Sequence, residues 1–278
     1  MISMIQPLHA GNALRLFLEP PNGAVSWRIL RKGADTFTGI DDASAYVAYE
    51  GDERVIVDAY MLVNEQAAFY KPFYFDGTAW ASGATASGTP AAVYEEHSTD
   101  VLSFVRERLE AGLLVEVQRG NLSSEIGYVQ VYTAPPSLER DLRFPLVTIH
   151  LENESPDIRA LGEDISGDEF DAPGDYWLES EGWLAQVQLI IIGWSLNSDE
   201  RIELRKAIRR LVVANLPVFD SKGFQQINLT QQDVDAVNGE YGAPLYQVMS
   251  TFSCLAPVRV GGRINNLVND VTIRSTNG

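Results

Sequence analysis

The sequence predicts two folded domains: an N-terminal all-β sandwich, then a C-terminal α+β domain whose mostly antiparallel sheet is packed by two helices. Three observations carry this. Residues 14–82 hold short alternating apolar runs separated by turn sequences. Residues 98–216 hold two stretches with apolar residues at helical spacing, set among strand-like runs. Between these regions lies Ser82-Gly83-Ala84-Thr85-Ala86-Ser87-Gly88-Thr89-Pro90, small and uncharged, a composition that buries too little surface to fold and reads as a linker. The expected boundaries are 1–82 for the sandwich, 83–90 for the linker, 91–258 for the α+β domain and 259–278 for a C-terminal arm. A chain of 278 residues accommodates two domains comfortably.

In the first region Leu14, Leu16 and Leu18 alternate with Arg15, Phe17 and Glu19, and Pro20-Pro21-Asn22-Gly23 makes a turn. Val25, Trp27 and Ile29 share one face of the next run. Tyr46–Tyr49, Val55–Ala59 and Ala67–Phe75 follow, Asp76-Gly77 is a hairpin turn, and Trp80 opens a last strand. Short strands at this spacing with an early apolar Trp indicate a small sandwich.

In the second region Ser98 is the expected N-cap of a helix carrying Val101, Phe104, Val105 and Leu109, with Asp100 in its first turn and Gly112 at its stop. Val115–Val117, Tyr128–Tyr132 and Pro145–Leu151 read as strands. A long strand from Trp183 to Trp194 alternates at first and becomes continuously apolar at Leu189–Ile192, which implies burial on both faces. A second helix starts at Ser198, with Asp199 and Glu200 favouring its dipole, and Pro217 is expected to stop it. Phe224–Leu229 and Leu245–Ala256 close the sheet.

Composition narrows the function classes. Hydrophobic residues make up 45% of the chain, enough for real cores. The formal net charge of -17 repels DNA and anionic membranes over most of the surface, so sequence-specific nucleic-acid binding and membrane association are not expected. One dense basic cluster, Arg205, Lys206, Arg209 and Arg210, falls on the second helix; it is either a solvated face or a contact for an acidic partner or a ring lumen. A single cysteine, Cys254, excludes an intrachain disulfide and sits where a core residue belongs. Met1–Leu18 lacks the pattern of a secretory signal, and the apolar stretch Leu189–Trp194 is too short to span a bilayer, so synthesis in a cytoplasm is expected.

A search for chemistry returns little. His9, His97 and His150 have no metal-ligand spacing, and no nucleophile elbow, phosphate loop or dinucleotide fingerprint is present, so neither a catalytic residue nor a cofactor is expected. The acidic stretch Glu163–Glu181 could supply oxygen ligands to Ca²⁺, but the spacing of a calcium loop is absent and a solvated loop is the simpler reading. Asn121, Asn153 and Asn228 head glycosylation tripeptides that, without a signal, are read as chance.

Two resemblances add to this reading. The pattern Leu14-x-Leu16-x-Leu18-x-Pro20-Pro21-x-Gly23, Trp27-Arg28-Ile29-Leu30-Arg31, Tyr70-x-x-Phe73 and Asp76-Gly77 resembles a fibronectin type III domain over about 80 residues. In the second region, Asp100-Val101-x-x-Phe104-Val105, Phe144-Pro145-Leu146-Val147-Thr148-Ile149, the strand Trp183–Trp194, Ser198-Asp199-Glu200-Arg201 with its helix, and the closing strand Tyr246–Leu255 resemble the tail-terminator and neck proteins of tailed phages. That resemblance implies a structural virion protein, not an enzyme. It would be a homo-oligomeric, most often hexameric, ring that ends the tail tube and meets the tube protein on one side and the neck or connector proteins on the other. The C-terminal arm, with Val268, Val271 and Ile273 alternating, is a candidate contact that adds a strand to a neighbour's sheet. The alternative is a glycan-binding module on a virion adaptor or baseplate protein, with Tyr46, Tyr49, Tyr70, Tyr74 and Trp80 as stacking surfaces. An enzyme would require converging acids around Asp168 or Asp171.

Overall fold

The computed structural model describes residues 1–134, 142–157, 169–171, 176–236 and 245–264. The protein is rich in β-structure, with several sheets and few helices. Among the described residues, 1–96, 169–171, 176–180 and 261–264 belong to one compact unit, and 97–134, 142–157, 181–236 and 245–260 to a second.

The first unit is built from β1 (Ile2–Pro7), β2 (Leu14–Leu18), β3 (Ser26–Lys32), β4 (Tyr46–Gly51), β5 (Val55–Asp58), β6 (Ala68–Phe75), β7 (Trp80–Ser82), β8 (Ala86–Gly88) and the two-residue β9 (Glu95–Glu96). One sheet has the order β1-β2-β5 and the other β4-β3-β6-β7, with β8 also paired to β6. The alternation of β2 puts Leu14, Leu16 and Leu18 inward, where they meet Trp27, Ile29, Ile56, Tyr70 and Tyr74 from both sheets in one core. Trp27 satisfies its indole N–H by donating to the Glu53 carbonyl at 2.9 Å. The Asp76-Gly77 turn forms as its composition requires. The Asp76 carboxylate accepts from the backbone N–H of Thr78 and Ala79 at 2.8 Å each, and Gly77 takes a φ of 97°. The Ala79 and Thr78 bonds hold the Asp76 carboxyl below its usual range.

Residues 83–90 differ from the expected linker: Ala86–Gly88 is a strand hydrogen-bonded to Ala68–Tyr70. The small side chains that suggested a linker serve close packing instead, since a Cβ at Gly88 would overlap the Ile5 side chain. Strand β1 was not legible either, because its pattern is only half buried.

The second unit contains α1 (Val101–Gln118), β10 (Gln130–Tyr132), β11 (Leu146–Pro156), the long β13 (Tyr176–Ser195) preceded by β12 (Glu169–Asp171), α2 (Ser198–Ala214), α3 (Leu216–Asp220), β14 (Gln225–Ala236) and β15 (Leu245–Ile264); the first residues of β13, all of β12 and the end of β15 fall in the first unit. The sheet order is β10-β11-β13-β15-β14. β10 runs parallel to β11, and β11 with β13 and β14 with β15 are antiparallel. Val147, Ile149, Val187, Leu189, Ile191, Val248 and Phe252 point from the sheet into a core completed by Val105, Leu109, Leu113, Leu204 and Ile208 of the helices. On the other face Leu146, Trp194 and Leu245 form a smaller cluster, where the Trp194 indole donates to Thr148 Oγ1 at 3.0 Å. The continuous apolar run of β13 is thus covered on both faces. Cys254 lies in the large core, and burial pushes its thiol up to about 12.

Several helix boundaries depart from expectation. Asp100, not Ser98, caps α1 by accepting from the Ser103 N–H at 3.0 Å; the Ser98 hydroxyl accepts from the Arg259 N–H instead. Gly112 lies inside α1, and Val115–Val117, read as a strand, are helical. A Cβ at Gly112 would overlap the Leu211 methyls, so the glycine is a helix–helix contact rather than a stop. Asn197 caps α2 through the Asp199 N–H. Pro217 opens the short helix α3, a position where its missing N–H costs nothing.

Candidate functional site

The expected basic cluster on α2 is divided among acids of the same unit. Arg205 Nη1 bonds Asp233 Oδ2 on β14 at 2.8 Å, and Arg201 approaches the same oxygen at 3.6 Å. Lys206 pairs with Glu203 one turn back at 2.8 Å. Arg210 reaches across to α1 and pairs with Glu116. Arg209 is exposed and makes no ion pair among the described residues. Three of the four cations are therefore paired with acids of the same unit.

Glu116 is the least expected member of this arrangement. It is a carboxylate only 4% exposed, brought inward because α1 continues past Gly112. Its oxygens accept from Arg210 and from Asn121 Nδ2 at 3.0 Å, and these bonds, the Arg210 bond foremost, hold its carboxyl below the ordinary glutamate range. The same contact raises the Arg210 guanidinium pKa. The strand reading of 115–117 hid it; the 1-5-8 spacing of Gly112, Glu116 and Arg119 on a helix face was the available signal.

Around this pair the C-terminal halves of α1 and α2 frame a groove of about 670 Å³. Gly112, Val115, Leu211, Val213 and Ala214 give it an apolar lining, and Arg119, Arg209 and Arg210 stand around it. Val115 and Val213 are exposed aliphatic side chains on helices, Val213 at 59%. With Glu116 neutralised by Arg210, Arg119 and Arg209 leave the groove cationic in a chain of net charge -17.

The sheet of the same unit ends in open edges. β14 pairs only with β15 among the described residues, so its outer edge is unpaired along a 12-residue strand. Among the described residues β10 pairs with β11 only at Leu146–Thr148, and beyond that Leu151, Glu152, Asn153 and Glu154 of β11, all exposed, lie along a second edge.

The aromatic candidates of the first unit separate. Tyr70 and Tyr74 are core residues; burial raises both phenols, that of Tyr74 to about 12. Tyr70 donates to Asp58 Oδ2 at 2.8 Å, and Arg31 bonds the same oxygen at 2.6 Å. The Tyr49 hydroxyl accepts from the Glu53 N–H. Tyr46 carries the Arg31 guanidinium over its ring at 4.6 Å and Tyr60 stacked at 5.0 Å. Trp80 packs on Phe75 at 5.1 Å. These rings do not line up as an open row.

Among the described residues no three His, Cys, Asp or Glu side chains gather to hold a metal ion. His150 lies half-buried on β11. Of the acidic stretch, Glu163, Asp164, Asp168 and Asp175 lie outside the described residues, as do Val268, Val271 and Ile273 of the C-terminal arm. Glu169–Asp171 pairs with Tyr176–Leu178 as an antiparallel hairpin. Among the described residues no helix is long and apolar enough to cross a membrane.

No family model matches the sequence, and no curated protein matches it. Among solved structures, this chain is similar to the sheath/tube terminator of an extracellular contractile injection system, PVC, in its extended state. The identity is 15% and the TM-score 0.40, over 64% of this chain and 63% of that one. The match therefore spans less than two thirds of that protein.

Proposed function

We propose that this protein is a non-enzymatic structural component of a phage tail or related tail-like particle, a terminator whose subunits form a ring at the end of the tail tube and offer a surface to the next component. The observation that carries the proposal is the pair of open edges on the second unit's sheet. A monomeric protein blunts such edges with short strands, Lys or Pro. β14 is long and has neither Lys nor Pro; its bulge is confined to the Gln225–Asn228 end and its charges to Asp233 and Asp235, so Asn228–Gln232 is left as a regular, uncharged edge. The two edges differ in sequence, so each meets a different kind of surface on a neighbouring copy, head to tail, and that kind of contact closes into a ring when its rotation allows. Six copies are the number the phage resemblance implies.

The groove and the Asp58 network support the non-enzymatic part. Glu116, the one carboxylate lining the groove, is tied to Arg210 and Asn121, and Asp58 is tied to Arg31 and Tyr70. Neither is placed to exchange protons with a substrate. The first unit's strand order, β1-β2-β5 against β4-β3-β6-β7, supports a fibronectin type III-like decoration domain. The C-terminal arm with Val268, Val271 and Ile273 is proposed as a further intersubunit contact.

The test is tube assembly. Purified tube protein polymerising alone should give tubes of unlimited length. Addition of this chain should stop growth and give a narrow length distribution. Unchanged tube lengths at saturating amounts would remove the terminator reading.

A further inference from the structure

We infer that the α1–α2 groove is the seat of a second copy of this chain, which enters it with an acidic, partly aliphatic segment, so that the copies join head to tail. The inference rests on the ring reading for its setting and on the groove itself for its content. Two features fix the chemistry of the occupant. The lining between Gly112 and Val213 is apolar and open, and Val115 and Val213 stand in water at β-branched positions that add nothing to helix propensity. The rim carries Arg119 and Arg209, both exposed and neither ion-paired among the described residues, while the one carboxylate lining the groove, Glu116, is hydrogen-bonded to Arg210 and also feels the Arg119 charge.

Charge then selects the partner. With 38 acidic against 21 basic residues, the rest of this chain's surface is complementary to the groove. Two grooves facing each other would bring like charges together, which disfavours an isologous dimer. The groove of one copy must therefore meet a different, acidic face of the next, and such a contact is heterologous by construction. The exposed Leu151-Glu152-Asn153-Glu154 end of β11 carries the required combination of an aliphatic side chain beside carboxylates.

A photocrosslinking amino acid at Val213 tests this in the full-length chain. Illumination of the purified wild-type background should give a covalent dimer whose crosslinked peptide from the second copy is acidic, with Leu151–Glu154 as the expected segment. Arg119→Glu with Arg209→Glu should weaken association roughly tenfold or more, and high salt should do the same, because exposed charges are screened. Arg119 closes α1 and its charge acts on Glu116, so the folding control is Arg209→Glu alone, whose thermal transition should match the wild type while association still weakens; Glu152→Arg with Glu154→Arg should restore association when mixed with the double variant. Absence of a dimer, a dimer unaffected by charge reversal, or a crosslink to another groove would overturn the inference. Tube capping by the Arg119→Glu/Arg209→Glu protein at undiminished efficiency would overturn the groove contact while leaving the terminator reading in place; loss of capping by every form would instead strike the latter.

Discussion

Arg210 and Glu116, 94 residues apart in sequence, join the two helices of the second unit through a charge-assisted pair in which the carboxylate is sunk and the guanidinium is half in water. The asymmetry of burial determines what each partner's removal costs. Arg210→Ala leaves a desolvated carboxylate with only the Asn121 bond and the more distant Arg119 charge to compensate it, a loss on the order of 3 kcal/mol. Glu116→Ala frees an arginine that can turn to solvent, and the loss should be smaller, about 1–2 kcal/mol after screening. Chemical denaturation of the two variants checks the order; equal losses would contradict the assigned burial.

The same pair sets an acid limit. The folded-state carboxyl of Glu116 titrates below its unfolded value, so its contribution is fully present above the ordinary glutamate pKa of about 4.3 and is lost as pH falls through the folded value. Glu116→Gln should therefore cost stability at neutral pH and close the gap to wild type as the pH drops below about 4. Denaturation midpoints measured across that range read the convergence directly.

Gly112 tests whether helix contact or helix propensity governs its site. In an exposed helix, Gly→Ala stabilises by about 1 kcal/mol. Here the added methyl meets Leu211, so Gly112→Ala should destabilise by about 1–3 kcal/mol. Adding Leu211→Ala should recover part of the loss, since the two changes act on one contact. A stabilised single variant would show that the helices are free to separate.

In the first unit, Asp58 holds Arg31 and Tyr70 in one buried network. Tyr70→Phe should cost about 1.5–3 kcal/mol, the range for a hydrogen bond to a charged group. Asp58→Asn should cost more because it strands the Arg31 charge, and the double variant should be less destabilised than the sum. Additive losses would mean that the two groups do not share a partner.

The elements with a clean period were legible in the sequence. The Leu14-x-Leu16-x-Leu18 alternation, the Asp76-Gly77 turn and the buried run ending at Trp194 all appear where pattern and turn chemistry place them. Context decided the rest. Val115 and Val117 favour a strand by propensity, yet α1 carries them because Leu113 and Glu116 continue the buried face of Val105 and Leu109 beyond Gly112. Ala86 and Gly88 look like linker until Ile5 and Leu14 are seen to need small neighbours. The basic cluster was visible as composition, but Asp233 and Glu116, the acids that divide it, reach it only through tertiary structure. The groove had no linear signature, because its lining comes from two helices nearly a hundred residues apart.

Electron microscopy of tail tubes assembled with this chain tests the central claim most directly. The account predicts a ring of density at one end of each tube, built of several copies in head-to-tail contact and absent when the chain is omitted. Bare tube ends, with the chain remaining monomeric beside them, would contradict it.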